Sequence, residues 1–261
     1  MTAPTARGRL WLVPNTLDLG TVRAGETAPD LQDVLPLGAI RVAAGLSHWV
    51  VENARSARAL LKRVDAVVPL AQPLQALSIV ELPRPPKGKP EGRAPTLDGR
   101  ALLASALAGH DVGLLSEAGL PAVADPGAEV VRAAHGLGLT VMPLSGPSSL
   151  ILAVAASGLN GQSFAFVGYL PVEAAARAQR LRELEGLSRR ARQTQLLIET
   201  PYRNAAMVQA LLATLQPDTW LSIACGLTLV GGSVRTLPVA QWRAAPPALP
   251  ADVPAVFAFL A

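Results

Sequence analysis

Residues Leu114–Gly127 read LLSEAGLPAVADPG, and this stretch decides the fold. Val112–Leu115 is a short apolar run that predicts a buried strand. Ser116-Glu117-Ala118-Gly119 breaks that run, and Pro121 and Pro126 hold the chain in a loop. Asp125 is then placed to cap a helix, with Pro126 at the first helical position and Gly136 at the exit. Strand, loop and helix in that order make the unit of an α/β domain with a largely parallel sheet. Open sheets of this kind bind ligands at the carboxyl ends of their strands. Gly119 permits close approach of a ligand to the backbone, and Glu117 accepts hydrogen bonds from a ribose or an amine. The alternative is a loop whose glycine and prolines serve only the turn.

Working outward, the same alternation recurs. LWLV (Leu10–Val13) predicts a first strand stopped by Pro14, and AIRVAA (Ala39–Ala44) a second. Asn53 caps a helix through ARSARALLK, and SIVEL (Ser78–Leu82) predicts another strand. Helix Leu97–Ala108, helix Pro126–Leu137, strand Thr140–Pro143 and helix Pro147–Ser157 complete a first domain over residues 1–158. SGLNGQS (Ser157–Ser163) reads as a hinge. A second, smaller α/β domain over residues 159–261 follows. Its predicted elements are strand Phe164–Val167, helix Val172–Arg192, strand Gln195–Glu199, helix Arg203–Leu215, and strands Trp220–Ala224, Ser233–Pro238 and Ala255–Leu260.

Composition narrows the function classes. Half of the 261 residues are apolar, only 16% are charged, and the formal net charge is +4. That profile is the reverse of a disordered chain. Cys225 stands alone, which excludes a disulfide scaffold and reads as a small buried residue. His48, His110 and His135 are too scattered in sequence for a zinc site and read as surface or core residues; no metal is expected. Ala133–Val172 lacks Asp, Glu, Lys and Arg. Glycines and prolines interrupt it, so it reads as strand, loop and helix rather than a membrane span. With no secretory pattern at the N-terminus, a cytoplasmic protein is expected. Basic residues concentrate in two segments. One is Pro83–Thr96, with Arg84, Lys87, Lys89 and Arg93, either a mobile connector or a binding arm. The other is Arg177–Arg192, either a phosphate-tracking face or a solvated helix with internal ion pairs.

Two more loops end at the same predicted edge as Ser116–Gly119: Pro14-Asn15-Thr16-Leu17, and Ser145-Gly146-Pro147-Ser148-Ser149. In order along the chain, VPNTL, SEAGLPAVADPG, PLSGPSS, SGL, FAFVGYLP and IETPYRN resemble the motifs of the tetrapyrrole-methylase superfamily of S-adenosylmethionine-dependent methyltransferases. The branch most similar is that of the small-subunit ribosomal RNA 2′-O-ribose methyltransferases. The resemblance implies two α/β domains with the cofactor cleft between them, usually in a homodimer. It assigns S-adenosylmethionine binding to Pro14, Thr16, Glu117, Ala118, Gly119, Pro121, Gly146, Pro147, Ser148 and Ser149. Glu52 and Arg55 match a stretch facing the cleft, and Glu199, Pro201 and Arg203 match a second-domain motif.

The chain also departs from that pattern. Leu17-Asp18-Leu19 replaces Ile-Gly-Asn, and Glu117 replaces an Asp. Cys225–Gly232 lacks the branch's acid and lysine, and the segment between Val64 and Leu97 lacks its histidines. Direct methyl displacement needs no metal or enzyme nucleophile, only alignment of acceptor, methyl and sulfur. A hydroxyl acceptor also needs a base. Glu52, Glu199 and Glu117 are the candidates in that order, with Tyr202 and Arg203 placed to meet substrate; the catalytic assignment is therefore Glu52, Glu199 and Arg203. RNA, probed through the two basic segments, is the expected partner. The alternatives are methylation of a tetrapyrrole or other small acidic molecule, and a cofactor-binding paralogue with little or no activity.

Overall fold

A computed structural model describes residues 6–18, 29–83 and 97–261. The basic residues Arg84, Lys87, Lys89 and Arg93 lie outside the described residues. The chain divides into two compact units, the first ending at Pro147 and the second running from Ser148 to Ala261.

The first unit comprises β1 (Arg9–Leu12), α1 (Leu37–Gly45), β2 (His48–Val51), α2 (Ala54–Val67), β3 (Ser78–Glu81), α3 (Gly99–Leu102), α4 (Ala104–Leu107), β4 (Val112–Leu115), α5 (Ala128–Gly136) and β5 (Thr140–Pro143). The strands form one sheet in the order β3-β2-β4-β1-β5, and every pair is parallel. Strands buried on both faces read as continuous apolar runs, and β4 (VGLL) is buried throughout. Trp49, Val51 and Leu115 join α1 and α2 in one core cluster. Leu10, Val50, Val112 and Leu114 join α4 and α5 in the other.

Three expectations are corrected here. Ala39–Ala44 is helical and belongs to α1; the strand is the next apolar run, His48–Val51. Ala39, Ile40, Ala43 and Ala44 are the buried positions. That spacing is helical, and neither alanine nor glycine favours a strand. The expected helix Leu97–Ala108 is two short helices joined at Leu103. The helix after Asp125 starts at Ala128, with Gly127 at its cap (φ 133°). Ala122 and Ala124 adopt left-handed backbone, so the loop turns further before helix can begin.

The second unit comprises α6 (Ser149–Ser157), β6 (Phe164–Phe166), α7 (Ala174–Ala191), β7 (Thr194–Glu199), α8 (Asn204–Thr214), β8 (Trp220–Cys225), β9 (Ser233–Pro238), α9 (Val239–Ala244) and β10 (Ala255–Leu260). Its sheet has the order β6-β7-β10-β8-β9. β6 and β7 are parallel, and the remaining pairs are antiparallel. α7, α8 and α9 cover one face through Leu181, Leu211 and Trp242. α6 covers the other through Leu150, Ala153 and Val154, against Leu196, Ala224, Val256 and Ala258.

That packing moves the boundary. The sequence places the helix ending at Ser157 in the first domain, but its apolar face is buried on the second sheet. SGLNGQS accordingly lies inside the second unit rather than at a hinge. Thr236 Oγ1 donates to Ser157 O at 2.8 Å, and Asn160 Nδ2 to Arg192 O at 2.6 Å. Glu185 of the Arg-rich helix turns inward and accepts from Gln216 N and Thr219 Oγ1. The internal ion pair of that helix is Arg180–Glu183, at 3.3 Å.

Gly113 faces the ring of Trp49 across the β2–β4 register. A Cβ there would lie 2.6 Å from that fully buried ring. Gly113→Ala is expected to cost about 1–3 kcal/mol through overpacking, read as a lowered midpoint in urea unfolding. An unchanged midpoint would show that the ring yields freely.

Candidate active site

All strands of the first sheet run the same way, so the loops after β1, β2, β4 and β5 leave from one edge. Asn15 joins two of them. Its backbone N–H donates to Gly119 O at 2.8 Å, and its side-chain Nδ2 to Ser116 O at 3.1 Å and Glu117 O at 2.9 Å. Gly119 N returns a bond to Thr16 O at 3.3 Å. Asn15 is buried, so these bonds replace water on carbonyls that would otherwise be costly to leave unpaired. The β2 loop joins through Glu52, whose Oε2 accepts from Glu117 N at 3.0 Å. The β5 loop joins by close approach. A Cβ on Gly146 would lie 2.1 Å from Pro14 Cβ, and one on Gly119 would lie 3.4 Å from Pro147 O. Gly119 also has φ +62°, a backbone that side chains disfavour.

Pro14, Thr16, Glu52, Glu117, Ala118, Gly119, Gly146 and Pro147 are thus brought to one edge of the first unit, and Pro121 is buried a little further along the β4 loop. Thr16 and Asp18 are buried. The Thr16 hydroxyl bonds Asp18 Oδ1, and Arg63 Nη1 pairs with Asp18 Oδ2 at 2.8 Å while its Nη2 donates to Pro29 O at 2.9 Å. Asp18, which stands where the family pattern has glycine, is therefore held by an arginine of α2. Ser116 Oγ is buried without a hydrogen-bond partner among the described residues.

Asp125 is a functional candidate that the sequence reading missed. It is not a helix cap. Burial first, then the negative charges of Glu52 and Glu117, push its carboxyl up to about 7. Those three carboxylates come from two loops, so their proximity has no signature in sequence spacing. Asn15 does carry a signal in the sequence: an amide directly after a buried strand is the residue type that satisfies loop carbonyls.

The other expected site residues belong to the second unit. Ser148 and Ser149 open α6, and the Ser148 side chain makes no capping bond. Glu199 ends β7, is buried, and accepts from Thr200 N at 2.9 Å. Arg203 Nη2 lies 3.2 Å from Glu199 Oε2, an ion pair by distance in which that oxygen makes no aligned hydrogen bond. Tyr202 beside it is exposed. The Cys225–Gly232 stretch is a tight β8–β9 turn: a Cβ on Gly232 would lie 2.1 Å from Gly226 O. Cys225 is buried, and burial pushes its thiol up. His48 and His110 are not scattered in space, with ring centroids 4.9 Å apart. They stand at the opposite, amino edge of β2 and β4.

The sequence model of the Tetrapyrrole (Corrin/Porphyrin) Methylases matches residues 54–240. The chain belongs to this family. Among curated relatives, "Ribosomal RNA small subunit methyltransferase I" of Vibrio cholerae is 34% identical over 142 residues, 54% of this chain and 48% of that one. The protein of the same name from Mesorhizobium japonicum is 36% identical over 138 residues, 53% of this chain and 46% of that one. The chain thus spans about half the length of the curated relatives it matches. Two solved structures share the fold. Uroporphyrin-III-C-methyltransferase from Thermus thermophilus matches with TM-score 0.52 and 19% identity, over 97% of this chain and 94% of that one. The methyltransferase CobJ matches with TM-score 0.55 and 16% identity, over 96% and 93%. A tetrapyrrole-methylase fold therefore accounts for both units.

The titration of Asp125 has a defined sign. A carboxyl whose pKa is raised on folding binds its proton more tightly in the native state, so stability falls as pH rises from about 4 to about 7 and stays low above that. Asp125→Asn is expected to melt higher than wild type at pH 8, with the advantage shrinking as pH falls to 4. A melting difference independent of pH would rule out this titration.

Proposed function

We propose that this chain is an S-adenosylmethionine-dependent methyltransferase acting on ribosomal RNA at a ribose 2′-hydroxyl, and that it works in the cytoplasm as a homodimer. The names of its curated relatives support the RNA acceptor. No described helix is long and apolar enough to cross a membrane. The observation that carries the cofactor reading is the joined edge of the first sheet, where Asn15, Gly119 and Thr16 hold two loops together by backbone bonds. The residues there fit an adenosyl group. Ser116 Oγ is a buried hydroxyl in need of a partner, and Gly119 keeps clear the space that a Cβ would fill. Pro14, Thr16, Glu117, Ala118, Gly119, Pro121, Gly146 and Pro147 are the first-unit residues proposed to hold it.

The bound donor supplies an electrophilic methyl group on sulfur. The chain's own contribution is position: backbone amides and carbonyls of rigid loops fix the donor, and such alignment supplies roughly 7–11 kcal/mol of barrier reduction. The choice of base changes with the structure. Glu52 is engaged by Glu117 N, and Glu199 by Thr200 N and Arg203. Asp125, pushed up to about 7 by burial and by Glu52 and Glu117, exchanges its proton near neutrality, as a general base must. We therefore put it ahead of Glu52 within the first unit. Glu199 and Arg203 remain the candidates of the second unit, for orienting or neutralising acceptor groups.

Calorimetric titration with S-adenosylmethionine and with its demethylated product tests the cofactor reading, and micromolar binding of both is expected. Gly119→Val should abolish it, since φ +62° and the neighbours Leu17 and Pro147 leave no room for a branched side chain. Normal binding by this variant, or none by wild type, would end the reading. Methylation of small ribosomal subunits, with none of a porphyrin acceptor, is the outcome expected for the substrate; the reverse would assign a small acidic molecule instead.

A further inference from the structure

The chain has few aromatic residues, and the second unit sorts its phenylalanines sharply. Phe257 and Phe259 of β10 are fully buried, whereas Phe164 and Phe166 of β6 are 38% and 37% exposed. β6 is one of the two edge strands of its sheet among the described residues. Its parallel register with β7 pairs Phe164 with Thr194 and Phe166 with Leu196. Register partners share a face, so both rings lie on one face, about 6.6 Å apart along the strand. One nucleotide of an unstacked strand covers that step. Beyond Gly168 (φ +73°) the chain continues to Tyr169, 59% exposed.

The backbone of a basic residue, Arg192, is held at the start of this track. Asn160 Nδ2 donates to Arg192 O at 2.6 Å, and Thr194 Oγ1 donates to Asn160 O at 3.0 Å. These bonds bind the chain leading into Phe164 to the residues that follow α7. Arg192 closes α7 in left-handed backbone (φ 49°, ψ 43°). A helix end in this conformation favours glycine, yet an exposed arginine stands there. No Asp, Glu, Lys or Arg occurs from Ala133 to Val172, so the aromatic rings have no carboxylate neighbour in their own segment to repel phosphate.

We propose that this sheet edge is a platform for single-stranded RNA, on which bases stack on Phe164, Phe166 and Tyr169 while Arg192 meets the phosphate backbone. The proposal rests on the RNA reading above and names the surface that takes the strand. Stacking on aromatic faces beside basic residues is the general mode of single-strand recognition. A second copy of the chain fits the edge less well. β6 has only three residues, too short for a stable strand pair between copies, and apolar docking would gain nothing from an arginine at the margin.

The test uses the full chain and a labelled single-stranded oligo-uridine of about ten nucleotides, read by fluorescence anisotropy, beside the calorimetry with S-adenosylmethionine. Phe164→Ala with Phe166→Ala should weaken RNA binding about tenfold or more and leave cofactor affinity unchanged. Phe166→Leu, which keeps apolar area but loses the aromatic face, should also weaken it. Arg192→Gly relieves the left-handed backbone, so it should melt no lower than wild type while binding RNA less tightly and with a shallower salt dependence. If wild type binds the oligonucleotide and the Phe and Arg variants match it, the platform is overturned while the RNA reading stands. If wild type binds cofactor but no RNA, both fall and the cofactor reading survives. If the double Phe variant instead halves the mass in light scattering and Phe166→Leu restores it, the edge is a contact between copies and the proposal fails.

Discussion

β1 lies between β4 and β5 with both pairings parallel, and the first unit depends on that arrangement. Parallel register sends the chain out of β1, β4 and β5 at the same edge, with the β2 loop beside them. Once the loops meet there, their polar backbone must be satisfied without water. Asn15 does this, with an amide long enough to reach two carbonyls and a backbone N–H that reaches a third. Glu52 anchors the same β4 loop from the other side. Small residues follow from the same requirement, because Gly146 stands where a Cβ would press into Pro14 and Gly119 holds a left-handed backbone.

A site assembled this way has little ionic machinery of its own, in keeping with a chain that is only 16% charged. Its carboxylates are mostly occupied in holding loops, and Asp18 is held in turn by Arg63. Asp125 differs because, among the described residues, no cation is paired with it. Burial and two like charges leave it with a proton near neutrality, a property set by the convergence of loops. The second unit is built differently. Its mixed sheet is covered by helices on both faces, and β6, one of its two edge strands, carries two exposed phenylalanines. One unit thus joins its loops through backbone groups, and the other exposes aromatic rings and arginines.

Much of this was legible from short segments. Every strand of the second sheet was located to within a residue or two, because strands bounded by Gly, Pro or Asn carry their own punctuation. The break after β4 at Ser116–Gly119 was legible as a loop at the carboxyl edge of the sheet, since small residues and prolines end an apolar run. The helix at Ala39–Ala44 was misread, because an alanine-rich apolar run has no periodicity long enough to separate strand from helix. The helix at Asp125 was set too early, because left-handed backbone at Ala122 and Ala124 has no marker in residue type. The histidines appeared scattered because only strand pairing brings His48 beside His110.

The sequence by itself determined the α/β class, the family motifs and the loops at the carboxyl edge of the first sheet, because these depend on local pattern and on residue type at single turns. Tertiary structure alone decided that α6 belongs to the second unit, that Asn15 joins two loops, that Asp125 shares an edge with Glu52 and Glu117, and that Phe164 and Phe166 face outward while Phe257 and Phe259 do not. Each of these is a relation between residues far apart in the chain, set by strand register and by which sheet buries a given apolar face.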